Sequence, residues 1–195
     1  MTFSSHTLET FFASYRPALH HVQTGFWQAA VLVPLIESGS GTHNRFDLLL
    51  TKRTDIVEHH KGQISFPGGR ADHSDASLMA TALREAREEI GLAEDRVRII
   101  GSLDQVWTPS GFLITPFVGI IKDPLPVLEV NPAEVESLMI VPLEKFFDEA
   151  NFRTEIRIVQ GMERTVYFFD VASEPVWGAT ALIVHRLITL IREFS

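Results

Sequence analysis

Residues 77–90 constrain the fold of this chain more than any other stretch. At about 100° per residue, Leu78, Met79, Ala82, Leu83, Ala86 and Ile90 form one apolar stripe about 140° wide. Such a stripe predicts a helix laid against an apolar layer, with Asp75 or Ser74 able to cap its start and Gly91 placed to end it. Glu85, Glu88 and Glu89 crowd one edge of the stripe, and Glu89 falls just inside it. Like charges at i, i+3 and i+4 repel by a few tenths of a kcal/mol per pair. A shared counter-charge would account for their placing. The plain reading is a solvated face, with Arg84 paired to Glu88 and Arg87 outward. The chemical reading is that three carboxylates stacked over one turn hold Mg²⁺ or Mn²⁺ through oxygen.

The rest of the chain supplies strands for that helix to cover. Apolar runs at 29–36 and 46–51 flank a Gly- and Ser-rich turn and predict a hairpin. Further strands are predicted at 64–66, 97–103, 113–121, 138–141, 156–159 and 166–171. Amphipathic helices are predicted at about 7–16 and at 180–193. Without strict βαβ alternation or internal repeats, the expectation is an α+β chain, a mixed sheet sandwiched between helices as α/β/α. Residues 1–195 read as one domain, with the N-terminal helix as an appendage.

Composition narrows the function. The 195 residues carry 17 Lys+Arg against 25 Asp+Glu, a net charge of −8. A negative surface disfavours nucleic acid and anionic membranes, so a polyanionic substrate must meet local cations or a metal. There are no cysteines, which removes disulfides, thiolate zinc sites and cysteine nucleophiles. The apolar run at 29–36 is far short of the roughly 18 residues that span a bilayer. The N-terminus has no basic segment followed by an apolar one, so a cytoplasmic location is the default expectation.

Gly69 followed by Arg84-Glu85-Ala86-Arg87-Glu88-Glu89-Ile90-Gly91-Leu92 resembles the Nudix box, a loop–helix–loop of about residues 69–92 that binds divalent metals and hydrolyses a diphosphate linked to another moiety. The interval from Gly69 to Arg84 is one residue longer than in the usual motif, and Asp75 stands at the acidic position. Leu49-Leu50-Thr51-Lys52-Arg53, Gly62-Gln63-Ile64-Ser65-Phe66-Pro67-Gly68-Gly69, Asp72 and Asp75 are similar to the signature of the coenzyme A pyrophosphatase branch, which shares the longer loop. Thr54 and Glu58 depart from that signature. Further similar blocks lie at 104–112, 131–135 and 177–181.

The resemblance implies metal ligands at Glu85, Glu88, Glu89 and the Gly69 carbonyl, with Arg84 orienting the carboxylates. A base must take a proton from the attacking water. Glu89, whose apolar setting raises its pKa unless a metal opposes that, is favoured over the loop residue Glu134. Arg53, Lys61 and Arg70 are candidates for substrate phosphates, and His59 and His60 are further ones. Phe66, Trp107 and Trp177 read first as core aromatics and second as adenine platforms. The implied reaction splits coenzyme A or a derivative, a small-molecule substrate, into 4′-phosphopantetheine and adenosine 3′,5′-bisphosphate with Mg²⁺ or Mn²⁺. Alternatives are ADP-ribose, a dinucleoside polyphosphate or an oxidised nucleoside triphosphate as substrate, or a non-catalytic nucleotide-binding module. Monomer and homodimer are both compatible with the apolar closing helix.

Overall fold

The computed structural model describes residues 4–20, 25–38, 45–54 and 62–193. Its centre is β1 (Trp27–Ser38), which runs parallel to β7 (Phe112–Ile121) and antiparallel to β2 (Arg45–Arg53) and to β4 (Gly68–Arg70). β3 (Ile64–Ser65) and β8 (Val135–Pro142) pair with β2, while β5 (Val97–Ser102) and β6 (Val106–Trp107) pair with β7. These eight strands form the mixed sheet.

Both faces of the sheet are covered, which is why β1 and β2 read as continuous apolar runs instead of alternating ones. Ala30, Leu32, Ile36 and Leu49 pack against Ala82, Leu83, Ala86 and Ile90 of α2 (Leu78–Ile90). The alternate residues Val33, Leu35, Leu48 and Leu50 share a core with α1 (Ser5–Ser14) and with α4 (Gly178–Glu193), whose Ile183, Val184 and Leu187 point inward. Truncating one such buried leucine to Ala costs about 2–5 kcal/mol. Pro34 sits in β1 between the stretch paired with β4 and the stretch paired with β2. A residue with no N–H is tolerated where the neighbouring strand changes.

Several boundaries differ from the sequence expectation. The cap of α2 is Ser77, whose side chain accepts from the Ala80 N–H at 3.1 Å, and neither Asp75 nor Ser74 serves. Asp75 is drawn instead to Arg84, and Ser74 donates to Asp72. Gly91 does end the helix, at φ +69°. The N-terminal helix begins at Ser5 because Ser4 caps it, and its Leu8, Phe11 and Phe12 lie in the core. A separate antiparallel sheet of β9 (Phe152–Val159), β10 (Met162–Phe169) and β11 (Val176–Trp177) was not expected. β9 carries Arg153, Glu155 and Arg157 between its apolar residues, so pairing extends beyond the apolar runs that marked it. A short helix, α3 (Glu144–Phe147), follows β8. Among the described residues no helix is long and apolar enough to cross a membrane.

Candidate active site

The carboxylates of α2 sit where three other segments meet. β4 lies along the helix, and the Gly68 N–H donates to Glu89 Oε2 at 3.2 Å. At Gly69 the fit is closer: a Cβ there would stand 2.6 Å from the Glu85 carboxylate. A side chain at 69 would therefore displace that group. Following the last turn, the N–H groups of Glu129 and Asn131 donate to the carbonyls of Ile90 and Glu89 at 3.1 and 2.8 Å, satisfying free helix-end acceptors. This places Glu134, held by Asn131 Nδ2 at 3.2 Å, beside the cluster. Thr54 ties the same segment to the end of β2, its N–H donating to the Glu134 carbonyl at 3.0 Å and its hydroxyl to the Ala133 carbonyl at 3.3 Å.

Two arginines supply the counter-charge. Arg53, at the end of β2, reaches Glu89 Oε1 at 3.1 Å. Arg84 clamps Asp75 with Nε and Nη2 at 2.9 and 3.1 Å, while Nη1 lies 2.8 Å from Glu85 and 2.9 Å from Glu88. Its Nη2 also donates to the Arg70 carbonyl at 3.2 Å, so the loop after Gly69 is folded back onto the helix by one guanidinium. That pairing holds the Asp75 carboxyl well below the usual carboxylate range.

Burial works the other way on the glutamates. Glu89 is 1% exposed, and burial pushes its carboxyl up to about 7, with Arg53 and the Gly68 N–H opposing and the charges of Glu85 and Glu134 assisting. Burial also raises Glu85; Arg84 opposes this, and Glu88 and Glu134 add to it. Glu88 is half-exposed. The charge on this edge thus exceeds what the two arginines neutralise.

The sequence profile of the NUDIX domain matches residues 27–160, more than half of the chain. The chain belongs to the Nudix family. It is 39% identical over 159 residues to a protein of Photorhabdus laumondii named as an uncharacterized Nudix hydrolase, NudL, with 82% of each chain covered. A NudL of Yersinia enterocolitica is 35% identical over 189 residues, covering 94% of this chain and 93% of that one. Among solved structures, a MutT/Nudix family protein from Enterococcus faecalis matches the fold with TM-score 0.52 at 14% identity, over 96% of this chain and 67% of that one. The M. smegmatis Nudix hydrolase RenU matches with TM-score 0.50 at 22% identity, over 62% and 74%. The protein is a pyrophosphohydrolase of this family, and Nudix hydrolases generally use divalent metal ions.

In this Nudix hydrolase no three His, Asp or Glu side chains among the described residues stand gathered as a ready cage for an ion, and Arg84 and Arg53 are paired with the carboxylates. The donors nevertheless fit a hard cation. They are all oxygen, two of them are buried with their charge resisted by burial, and a glycine makes room beside one. Arg70 is exposed, and its guanidinium stacks 3.3 Å from the Trp27 ring centroid. Trp27 was missed from sequence, since it lies two residues ahead of the apolar run that marks β1. Phe66 is buried in the core, Trp107 packs edge-on to Phe26, and Trp177 stacks on Phe168, so all three serve packing. Lys61, Glu58, His59 and His60 lie outside the described residues.

Proposed function

We propose that this Nudix hydrolase cleaves the diphosphate of coenzyme A or a derivative, water adding across one P–O–P linkage to give 4′-phosphopantetheine and adenosine 3′,5′-bisphosphate. The observation that carries this reading is convergence. The end of β2 with Arg53, residues 62–70, the Asp72–Asp75 loop and α2 are separate blocks of the coenzyme A-type signature, and they meet around one carboxylate cluster. The longer loop is accommodated by the Arg84–Asp75 clamp.

Glu85, Glu88, Glu89 and the Gly69 carbonyl would hold Mg²⁺ or Mn²⁺, which when bound shields the diphosphate and activates water. Glu89, buried beside the Gly68 N–H, is the favoured base for the attacking water, and Glu134 is the neighbouring alternative. Arg84 positions the carboxylates without touching substrate. Arg53 and Arg70 meet phosphate oxygens, with Lys61 as a third cation. The Nε of Arg53 has no hydrogen-bond partner among the described residues, which leaves a donor for such an oxygen. The whole chain acts as one domain in the cytoplasm.

Incubating the purified protein with coenzyme A and Mg²⁺ or Mn²⁺ should release adenosine 3′,5′-bisphosphate. ADP-ribose, a dinucleoside polyphosphate and an oxidised nucleoside triphosphate are the comparison substrates. Turnover of one of these in preference to molecules bearing a 3′-phosphate would reject the coenzyme A reading and keep the hydrolase.

A further inference from the structure

The edge of the small sheet carries information that the hydrolytic site does not use. Among the described residues β9 pairs only with β10 and forms that edge. The register runs without a bulge from Met162 opposite Val159 to Phe169 opposite Phe152, and one step further the Asp170 N–H donates to the Asn151 carbonyl at 2.8 Å. Antiparallel residues alternate between pairs that exchange both backbone hydrogen bonds and pairs that exchange neither. Counting from Asn151, the odd-numbered residues of β9 face β10, and Thr154, Ile156 and Ile158 turn their N–H and C=O outward. All three residues are exposed, Ile156 at 72% and Ile158 at 77%. The strand is eight residues long and has no Pro, Lys or bulge, and its charges, Arg153, Glu155 and Arg157, alternate with the isoleucines and so lie on the opposite face.

We infer that β9 pairs with β9 of a second copy, antiparallel about a twofold axis at Ile156. That register sets Ile156 against its symmetry mate and Thr154 against Ile158, so every outward-facing backbone group of the three residues finds a partner. On the opposite side of the ribbon it sets Glu155 against Arg157 of the other copy, twice. Within one chain Arg157 already lies 2.7 Å from Glu155, and Arg153 pairs with the same carboxylate, so the dimer turns a single charged row into a checkerboard of alternating sign. Arg153 and Arg157 are also stacked over Phe168, which fixes the row in place. An axis at Thr154 would carry the pairing into the helical turn Glu149–Asn151, and one at Ile158 would set Arg157 against Val159. Only the Ile156 axis keeps both the strand and the charge match.

Sedimentation velocity over a concentration series, from low to several hundred micromolar, tests this on the full chain. The wild type should be a dimer that dissociates on dilution. Ile156→Pro removes only an outward N–H, which an edge strand tolerates, and should raise the dissociation constant by more than about tenfold while circular dichroism stays unchanged. If that variant misfolds, Ile156→Lys puts two ammonium groups on the axis and serves instead. Glu155→Arg and Arg157→Glu should each weaken association by about tenfold, and the double variant should restore it. A wild type that stays monomeric throughout, or a dimer indifferent to both Ile156 variants, would overturn the inference. Failure of the double variant to rescue would overturn the Ile156 register.

Discussion

Two clusters of partly buried polar groups flank the main sheet, one facing α4 and one facing α2, and their arithmetic of donors and acceptors is opposite. Facing α4, Asp104 accepts from the Tyr15 hydroxyl and the Ala18 N–H, both at 2.7 Å. Gln105 is held by Thr115 and by the His20 N–H, and Arg186 donates to the carbonyls of both residues at 3.0 Å. Every group there has a matched partner, and burial with the Asp104 bond drives the Tyr15 phenol upward, away from ionisation. Facing α2, the carboxylates of Glu85, Glu88, Glu89 and Glu134 outnumber the guanidinium groups of Arg53 and Arg84, and burial raises two of them against the pull of those arginines. Matched polar groups hold a fold together. Unmatched ones are a standing demand for a ligand.

Breaking the α2 cluster should therefore cost chemistry, and breaking the α4 cluster should cost stability. The largest effect expected is on turnover: Glu89→Gln and Glu88→Gln should each lower kcat by about 100-fold or more in a steady-state assay. Activity that survived both substitutions would place the chemistry elsewhere. Next comes the cation itself. Mg²⁺ or Mn²⁺ added to chelator-treated protein at about 100 times its Kd should stabilise it by about 2.7 kcal/mol, read as a rise in Tm. Glu85→Gln should blunt that rise, and an undiminished rise would remove Glu85 from the ligand set.

On the other face, Arg186→Met strips the donor from two carbonyls and should cost about 1–3 kcal/mol of stability, seen in denaturant unfolding, with kcat within about twofold of wild type. A large loss of kcat with normal stability would erase the distinction between the clusters. The smallest effect concerns acid. The Asp75 carboxyl is depressed in the folded chain and titrates at its ordinary value, 3.8, when unfolded. A depressed acid contributes stability that is present above the unfolded value and lost as pH falls towards the folded one. The Tm of the wild type should therefore fall more steeply below about pH 4 than that of Asp75→Asn. Parallel acid limbs would mean that the Arg84 clamp adds nothing to the fold.

Much of the α2 side was legible in the sequence because its signals are local. Periodicity places the helix, and the position of Glu89 within the apolar stripe foretells its burial. The partners were not legible, because they come from elsewhere in the chain. Arg53 is 36 residues from Glu89, and no local pattern announces their meeting. Trp27 beneath Arg70 depends on β1 and β4 lying side by side. The α4-side network joins residues more than 80 apart, as in Tyr15 with Asp104, and no local pattern announces their meeting. The small sheet was legible in part: the apolar runs at 156–159 and 166–171 mark its two longer strands, but the charged residues Arg153 and Glu155 hide the start of the first, and no local pattern says that the two pair apart from the main sheet. Thr54, a departure from the expected signature, has a structural use in tying down the segment that carries Glu134.

The adjacent glycines of β4 differ in what they exclude. A Cβ at Gly68 would strike the backbone of β1, 2.4 Å from the Ala30 carbonyl oxygen, whereas one at Gly69 would strike only the movable end of Glu85. Drift at these two neighbouring codons would therefore have unlike fates. A change at 68 unseats the loop from the sheet and is removed with the fold, but a change at 69 leaves a folded chain with a disturbed carboxylate. Drift at 69 thus reaches the carboxylate edge of the helix while the architecture persists.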